Sequence, residues 1–246
     1  MINQPPISQE ALIAENIARV RARIAESAQR VGRAPQDVTL VAVSKTKPLD
    51  YVKIAYNLGI RDFGENRVQE ALEKRAAFCP SDLHWHMIGH LQTNKAQKVF
   101  GSFSCIHSID SLHVAEALQR AAEKKSQAAP MDMRQPVLLQ VNVSGEASKE
   151  GMTPEETPAI ARQILAFSHL DVQGLMTVAP LVDDPETVRP VFRSLRQLRD
   201  RLRDEVGDVS WDQLSMGMTD DYAVAIEEGA TIVRVGRAIF GERVKQ

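Results

Sequence analysis

The sequence predicts an α/β protein built as one (β/α)8 (TIM) barrel with an extra N-terminal helix. Three observations predict it. Eight short β-type runs alternate with helical patterns along the 246 residues. Runs such as Val137-Leu138-Leu139-Gln140-Val141 are almost continuously apolar, as strands covered on both faces must be. Glycine-containing turns follow the last two runs, at Leu214-Ser215-Met216-Gly217-Met218-Thr219 and Val235-Gly236-Arg237-Ala238. In such barrels the turns after the seventh and eighth strands commonly hold a phosphate. A doubly wound open sheet is the competing architecture, and both the count of eight and the position of the two turns favour the barrel. The expected domain spans residues 1–246, its helical extension residues 8–31.

Each element has a local signal. In the opening helix, Leu12, Ile13, Ile17, Val20, Ile24 and Val31 recur at helical spacing, and Gly32 stops it. The first strand is residues 39–44, and Pro48 opens a helix that ends at Gly59. The second strand, 60–63, leads to a helix through Val68, Ala71 and Leu72. The third, 83–88, precedes a helix containing residues 95–100; the fourth, 104–109, precedes one over 111–125. A polar stretch over 126–135 leads to the fifth strand, 137–143. Thr153-Pro154-Glu155-Glu156 reads as a capping box, which sets a helix running to about His169. The sixth strand is 172–178, and Asp184-Pro185 opens a helix rich in Arg and Leu that reaches Val206. The seventh strand, 213–216, is followed by a helix over 220–228 and a stop at Gly229. The eighth, 231–235, is followed by a short helix from Arg237.

Composition narrows the function. A hydrophobic fraction of 43% supports one sizeable core. A net charge of −2 gives no global field toward nucleic acid or membrane, so neither is expected as a partner. No apolar run is long enough to span a bilayer, and residues 1–6 lack the basic and apolar regions of a secretory leader. Cys79 and Cys105 are the only cysteines, which argues against a disulfide framework or a structural zinc site. A reducing cytoplasm is the expected location.

Barrel chemistry belongs at the C-terminal ends of strands. Those ends offer Lys45, Glu65 and Asn66, His90, Asp110, Asn142 and Ser144, Met176 and Thr177, Ser215, and Arg234. Lys45 closes the apolar run Val41-Ala42-Val43-Ser44. Burial in a barrel mouth disfavours an ammonium and frees the amine to condense with an aldehyde. By position alone, a solvent-facing strand-end lysine is the commoner explanation. Lys47 has the same parity as Lys45, but it precedes a proline at a helix start, where a solvated charge is expected. A reactive amine together with the Ser215-to-Thr219 and Gly236-Arg237 turns suggests pyridoxal 5'-phosphate. Arg234 lies inside the apolar run Ile232-Val233-Arg234-Val235 and needs a partner there. A core carboxylate would satisfy it, as would the ring nitrogen of a cofactor. His84 and His86 share one strand face, the pattern of some metal-dependent hydrolases. They lie before the strand end, and His107, His113 and His169 give no second pair, so no metal is expected.

With these residues in place the sequence resembles the YggS/PROSC family of pyridoxal phosphate homeostasis proteins. The resemblance runs from the opening helix to Arg243. It rests on Val41-Ala42-Val43-Ser44-Lys45-Thr46-Lys47-Pro48, Phe63-Gly64-Glu65-Asn66-Arg67-Val68-Gln69-Glu70 and Trp85-His86-Met87-Ile88-Gly89-His90-Leu91-Gln92-Thr93-Asn94-Lys95. Gly174-Leu175-Met176, Leu214-Ser215-Met216-Gly217-Met218-Thr219-Asp220-Asp221 and Val233-Arg234-Val235-Gly236-Arg237-Ala238-Ile239-Phe240-Gly241 complete it. The resemblance implies a fold-type III barrel like the N-terminal domain of alanine racemase, with pyridoxal phosphate held on Lys45 as a Schiff base. It implies phosphate contacts from Ser215 and from the backbone at Met218, Gly236 and Arg237, with Arg234 facing the pyridine nitrogen. Asn66 and Met176, at strand ends two and six, complete the expected cofactor-binding set. Family members often carry Ser or Thr where Arg237 stands, and Ser where Thr219 stands, so the Arg237 contact falls to its backbone N–H.

The expected role is binding, buffering and delivery of the cofactor, with apo pyridoxal-phosphate enzymes as recipients and no catalytic residue of its own. A racemase needs a second acid/base opposite the lysine, which alanine racemase draws from a separate β domain. About ten residues follow the eighth strand here, so that domain is not expected, and Tyr51, Tyr56 and Tyr222 do not obviously replace its tyrosine. A monomer is compatible with this arrangement. The alternative is a pyridoxal-phosphate-dependent amino-acid racemase with an unrecognised base.

Overall fold

A computed structural model of the chain describes residues 8–128, 133–207 and 209–242. The leader reading on residues 1–6, the middle of the polar stretch over 126–135, and the end of the family resemblance at Arg243 lie outside the described residues. Eight parallel strands close a barrel in sequence order, with the first paired to the last. They are β1 (Thr39–Val43), β2 (Asp62–Glu65), β3 (His84–Met87), β4 (Cys105–Ile109), β5 (Gln135–Gln140), β6 (Leu170–Met176), β7 (Gln213–Ser215) and β8 (Ile232–Val235). The helices are α1 (Gln9–Arg30), α2 (Leu49–Asn57), α3 (Val68–Ala77), α4 (Ala96–Val99), α5 (Leu112–Ala128), α6 (Thr157–Leu165), α7 (Arg189–Glu205), α8 (Tyr222–Glu227) and α9 (Arg237–Phe240). Among the described residues no helix is long and apolar enough to cross a membrane.

The near-continuous apolar runs have a simple origin. Successive strand residues point to opposite faces, and both faces are buried. Ala42, Phe63, Trp85, Ile106, Leu139, Leu175, Leu214 and Val233 join the large core between barrel and helices. Their strand neighbours Val41, Cys105, Leu138, Met176 and Ile232 form a second, separate cluster. Residues from five strands around a closed barrel meet only across its lumen.

α1 docks on the outside. Ile13, Ile17, Val20, Ile24 and Ala28 make its buried stripe, while Leu12 and Val31 stay exposed. Leu12 is adjacent to Ile13 in sequence and so lies about 100° round the helix from the stripe. Ser8 caps the helix by accepting from the Ala11 N–H at 3.1 Å. The helix is pinned to the end of the barrel by Asn16, whose Nδ2 donates to Ile239 O at 2.9 Å.

Several boundaries differ from the sequence expectation for identifiable reasons. β2 starts at Asp62 rather than residue 60, because the Ile60 N–H is spent closing α2 on Ala55 O at 3.0 Å. β5 stops at Gln140, although the apolar run continues. Val141 instead makes an isolated bridge to Met152, drawing the β5–α6 loop over the barrel rim. α6 begins at Thr157, four residues after Thr153, whose Oγ1 accepts from the Glu156 N–H at 3.2 Å and caps a preceding turn. The helix expected from Asp184 opens as a 3-10 turn, Pro185–Val188, before α7.

Gly174 sits where the β5–β6 register shifts, paired in register with Gln213 of β7. A Cβ there would lie 1.9 Å from Gln213 O. Gly174→Ala is expected to push β6 off β7 and cost about 1–3 kcal/mol, as overpacking does. A urea titration measures it, and an unchanged midpoint contradicts this packing.

Candidate functional site

The turn after β1 carries Lys45 and is held from below by buried charge. Thr46 has φ 63°, a left-handed conformation that a β-branched residue rarely adopts. Its N–H donates to Glu70 Oε1 at 2.6 Å. Lys74, also buried, donates to Ser44 O at 2.8 Å, Glu65 Oε1 at 2.8 Å and Glu70 Oε1 at 2.7 Å. Ser44 Oγ donates to the same Glu65 oxygen at 2.7 Å. Burial pushes the Glu65 carboxyl up, against the pull of Lys74 and Ser44. The turn is therefore fixed on both sides of Lys45, which is itself half-buried. The i,i+4 pair of Glu70 and Lys74 is readable in the sequence. Its burial beneath the turn is not.

Lys47 takes another role than a solvated charge. Its Nζ donates to Phe240 O at 2.9 Å and Glu242 O at 2.8 Å, satisfying carbonyls at the end of α9. Burial lowers its pKa. Lys45 and Lys47 thus share parity but not environment.

Arg234 is buried in the lumen. Its Nη1 donates to Ser215 Oγ at 2.6 Å and its Nη2 to Thr177 O at 2.8 Å. Among the described residues no carboxylate forms an ion pair with it. Burial pulls the guanidinium down to about 10, with the field of Asp221 opposing, so it stays charged at neutral pH. Ser215 Oγ also lies 2.9 Å from His107 Nδ1. His107 Nε2 lies 3.0 Å from His86 Nδ1, and His86 Nε2 lies 3.0 Å from Asp62 Oδ1. His107, given no partner by the sequence reading, thus pairs with His86 inside the barrel. Cys105 joins them within 4.8 Å, a spacing that a metal could use. The facing nitrogens already share a hydrogen bond, however, and burial pushes the Cys105 thiol far up, away from the thiolate a metal needs.

The two glycine turns lie beside this group. Gly217 has φ 92°, and a Cβ there would come within 2.6 Å of Ala225 Cβ and 2.9 Å of Tyr222 Cα. Half-buried Met218 donates its N–H to Asp221 Oδ1 at 2.6 Å. Gly236 opens α9, and the exposed side chain of Arg237 turns outward to Asp220 of the other turn. Any contribution of Arg237 to a site between the turns therefore comes from its backbone. Met176 is buried in the lumen cluster, in register with Ser215. Asn66 follows β2, and its Oδ1 is buried without a hydrogen-bond partner, an acceptor that a bound molecule would satisfy. Tyr56 is tied to Asp82 on the barrel exterior at 2.5 Å, while Tyr222 is buried and its pKa raised by that burial. His90 and Asp110 pair at 2.9 Å beyond β3 and β4.

Comparison with known proteins places this geometry in a class. Residues 13–244 match the family model of the alanine racemase N-terminal domain, and the chain belongs to that family. Within it, the chain groups with the pyridoxal phosphate homeostasis proteins. It is 44% identical over 229 residues to the one from Aquifex aeolicus, covering 93% of this chain and 97% of the relative. It is 46% identical over 231 residues to the one from Pseudomonas aeruginosa, covering 94% and 96%. The structure of PipY from Synechococcus elongatus with pyridoxal phosphate bound aligns with TM-score 0.79 at 35% identity, covering 93% of this chain and 100% of PipY. Alanine racemase of Clostridium difficile aligns with TM-score 0.73 at 14% identity over 95% of this chain and 57% of its own, a likeness of fold alone.

The buried imidazole makes a pH prediction. Burial, aided by the charge of Arg234, holds His107 well below its ordinary value. The unfolded chain takes up that proton near pH 6.5 and the folded chain does not. Stability therefore falls as pH falls below that value, by about 1.4 kcal/mol per pH unit from this group. Urea titrations between about pH 7.5 and 5 should show a shallower pH dependence in His107→Gln than in the wild type. Equal slopes in the two proteins contradict a buried neutral His107.

Proposed function

We propose that the chain binds pyridoxal phosphate covalently at Lys45 and holds it for release to apo enzymes, without turning over a substrate of its own. The observation that carries this reading is Arg234, a buried guanidinium bonded to a hydroxyl and a carbonyl and paired with no described carboxylate. A structural ion pair would have supplied that carboxylate. A pyridine nitrogen accepts from a guanidinium without adding charge to be buried. The names of the relatives and the pyridoxal phosphate bound to PipY support the same reading.

When bound, the cofactor supplies an aldehyde that condenses with an amine. The chain's own residues do the rest. The clamp of Glu65, Glu70 and Lys74 presents Lys45 at the mouth. Arg234 donates toward the ring nitrogen, and because it stays protonated it leaves that nitrogen unprotonated. This weakens the ring as an electron sink. Asn66 offers its orphaned oxygen to a ring substituent, and Met176 supplies apolar wall. The backbone N–H groups of Met218, Gly236 and Arg237 would meet the phosphate, with the Ser215 hydroxyl beside them. The Met218 N–H, which donates to Asp221 here, would be one of those donors.

The test is chemical. Purified protein mixed with pyridoxal phosphate and reduced with borohydride should carry the pyridoxyl label on Lys45 in a peptide map. Lys45→Ala should keep its fold and lose the label, since a half-buried turn residue carries little core packing. The same yellow species in that variant would overturn the assignment. Steady formation of D-alanine from L-alanine, abolished by Lys45→Ala, would overturn holding in favour of turnover.

A further inference from the structure

We infer that Asp62, His86 and His107 are positioning residues of the cofactor site, acting through one directional chain of hydrogen bonds that ends on the Ser215 hydroxyl and Arg234. The chain crosses the barrel from the first residue of β2 to the last residue of β7 and on to β8. Its direction follows from the two ends. Arg234 can only donate, so it donates to Ser215 Oγ. An ionised carboxylate can only accept, so His86 donates to Asp62 through Nε2–H. Burial acts to raise the Asp62 carboxyl, but hydrogen bonds and charge from His86 and His84 outweigh it and hold it ionised.

The links between follow one by one. In neutral His86 the Nδ1 is then the acceptor, so His107 donates to it through Nε2–H. His107 is fully buried and neutral, so its Nδ1 accepts from the Ser215 hydroxyl. The Ser215 proton is thereby committed to His107, and its lone pairs face Arg234. One more proton on His86 makes both of its nitrogens donors. His107 must then accept at Nε2 and donate from Nδ1, and the Ser215 proton is released to the lumen. The charged and titratable groups around the two rings are Asp62, which also bonds His84, with Cys105 and Arg234. A carboxylate at the far end of the barrel thus decides whether the Ser215 hydroxyl can donate to a bound phosphate or ring.

The consequence for the cofactor rests on the binding reading above, but the tautomers do not. Nitrogen NMR of histidine-labelled protein without cofactor at about pH 8.5, well above the ordinary imidazole value, reads them directly. We expect both His86 and His107 as the Nε2–H tautomer, and a mixture at His107 in Asp62→Ala. An Nδ1–H tautomer at His107 in the wild type overturns the chain, as does an unchanged His107 in Asp62→Ala. Asp62→Asn, closer in shape, serves if the alanine variant does not fold, and its expected result is the same mixture. Pyridoxal phosphate affinity then tests the function. Asp62→Ala, by freeing the Ser215 proton to donate to the phosphate, should tighten it roughly three- to tenfold, the range of one net hydrogen bond. It should have no further effect in a Ser215→Ala background, because the coupling runs through that hydroxyl. Full additivity overturns the positioning role. If no lysine is labelled by the cofactor at all, the binding reading fails while the tautomers still decide the chain.

Discussion

A guanidinium buried in a barrel lumen and paired with no carboxylate among the described residues sets the terms for everything near it. Removing Arg234 from water is costly, and hydrogen bonds to Ser215 and Thr177 offset only part of that. Asp221 contributes field without contact. Continuous hydrogen bonds lead from Arg234 to the Asp62 carboxylate through a hydroxyl and two imidazoles. Beside this polar line Val41, Cys105, Leu138, Met176 and Ile232 pack together as an apolar cluster. A hydrophobic residue at position 234 would be easier to bury. The charge makes sense when something enters the mouth to meet it.

The second fixed point is the turn after β1. Thr46 holds an unfavourable backbone conformation, and two carboxylates with a buried lysine keep it there. Strain of this kind persists only where the surroundings over-determine it. The two anchors come from strands that pair directly, because β1 and β8 close the barrel, with Val41 in register with Arg234. Arg234 and the strand that carries the Lys45 turn are therefore set relative to each other by sheet hydrogen bonds. That rigidity suits a site formed before its ligand arrives.

Much of this was legible in the sequence because barrel strands are buried on both faces and so write long apolar runs. The limits were equally physical. Periodicity could not see that the Ile60 N–H closes a helix, or that Val141 bridges to Met152 over the rim. Strand-end position singled out Lys45, Asn66 and Arg234, but it placed Lys47 in solvent, since nothing local shows that the chain's last helix comes back to it. The partnership of His86 with His107 was missed for a related reason. The two residues are on adjacent strands, but their pairing depends on the β3–β4 register, which sets His86 against Cys105. Glu65, Asn66 and Glu70 stand in one motif, yet only the fold separates them, Glu65 and Glu70 to the clamp and Asn66 with its oxygen unpaired.

Whether Arg234 meets a ring nitrogen is read by comparing two ligands. Binding of pyridoxal phosphate and of its 1-deaza analogue, in which a C–H replaces that nitrogen, can be followed by absorption and calorimetry on the wild type and on Arg234→Met. The wild type should prefer pyridoxal phosphate by about tenfold or more, the worth of a hydrogen bond to a charged group, and Arg234→Met should have no such preference. Equal binding of the two ligands by the wild type would contradict that contact, and would leave Arg234 as a structural charge held by Ser215 and Thr177 alone.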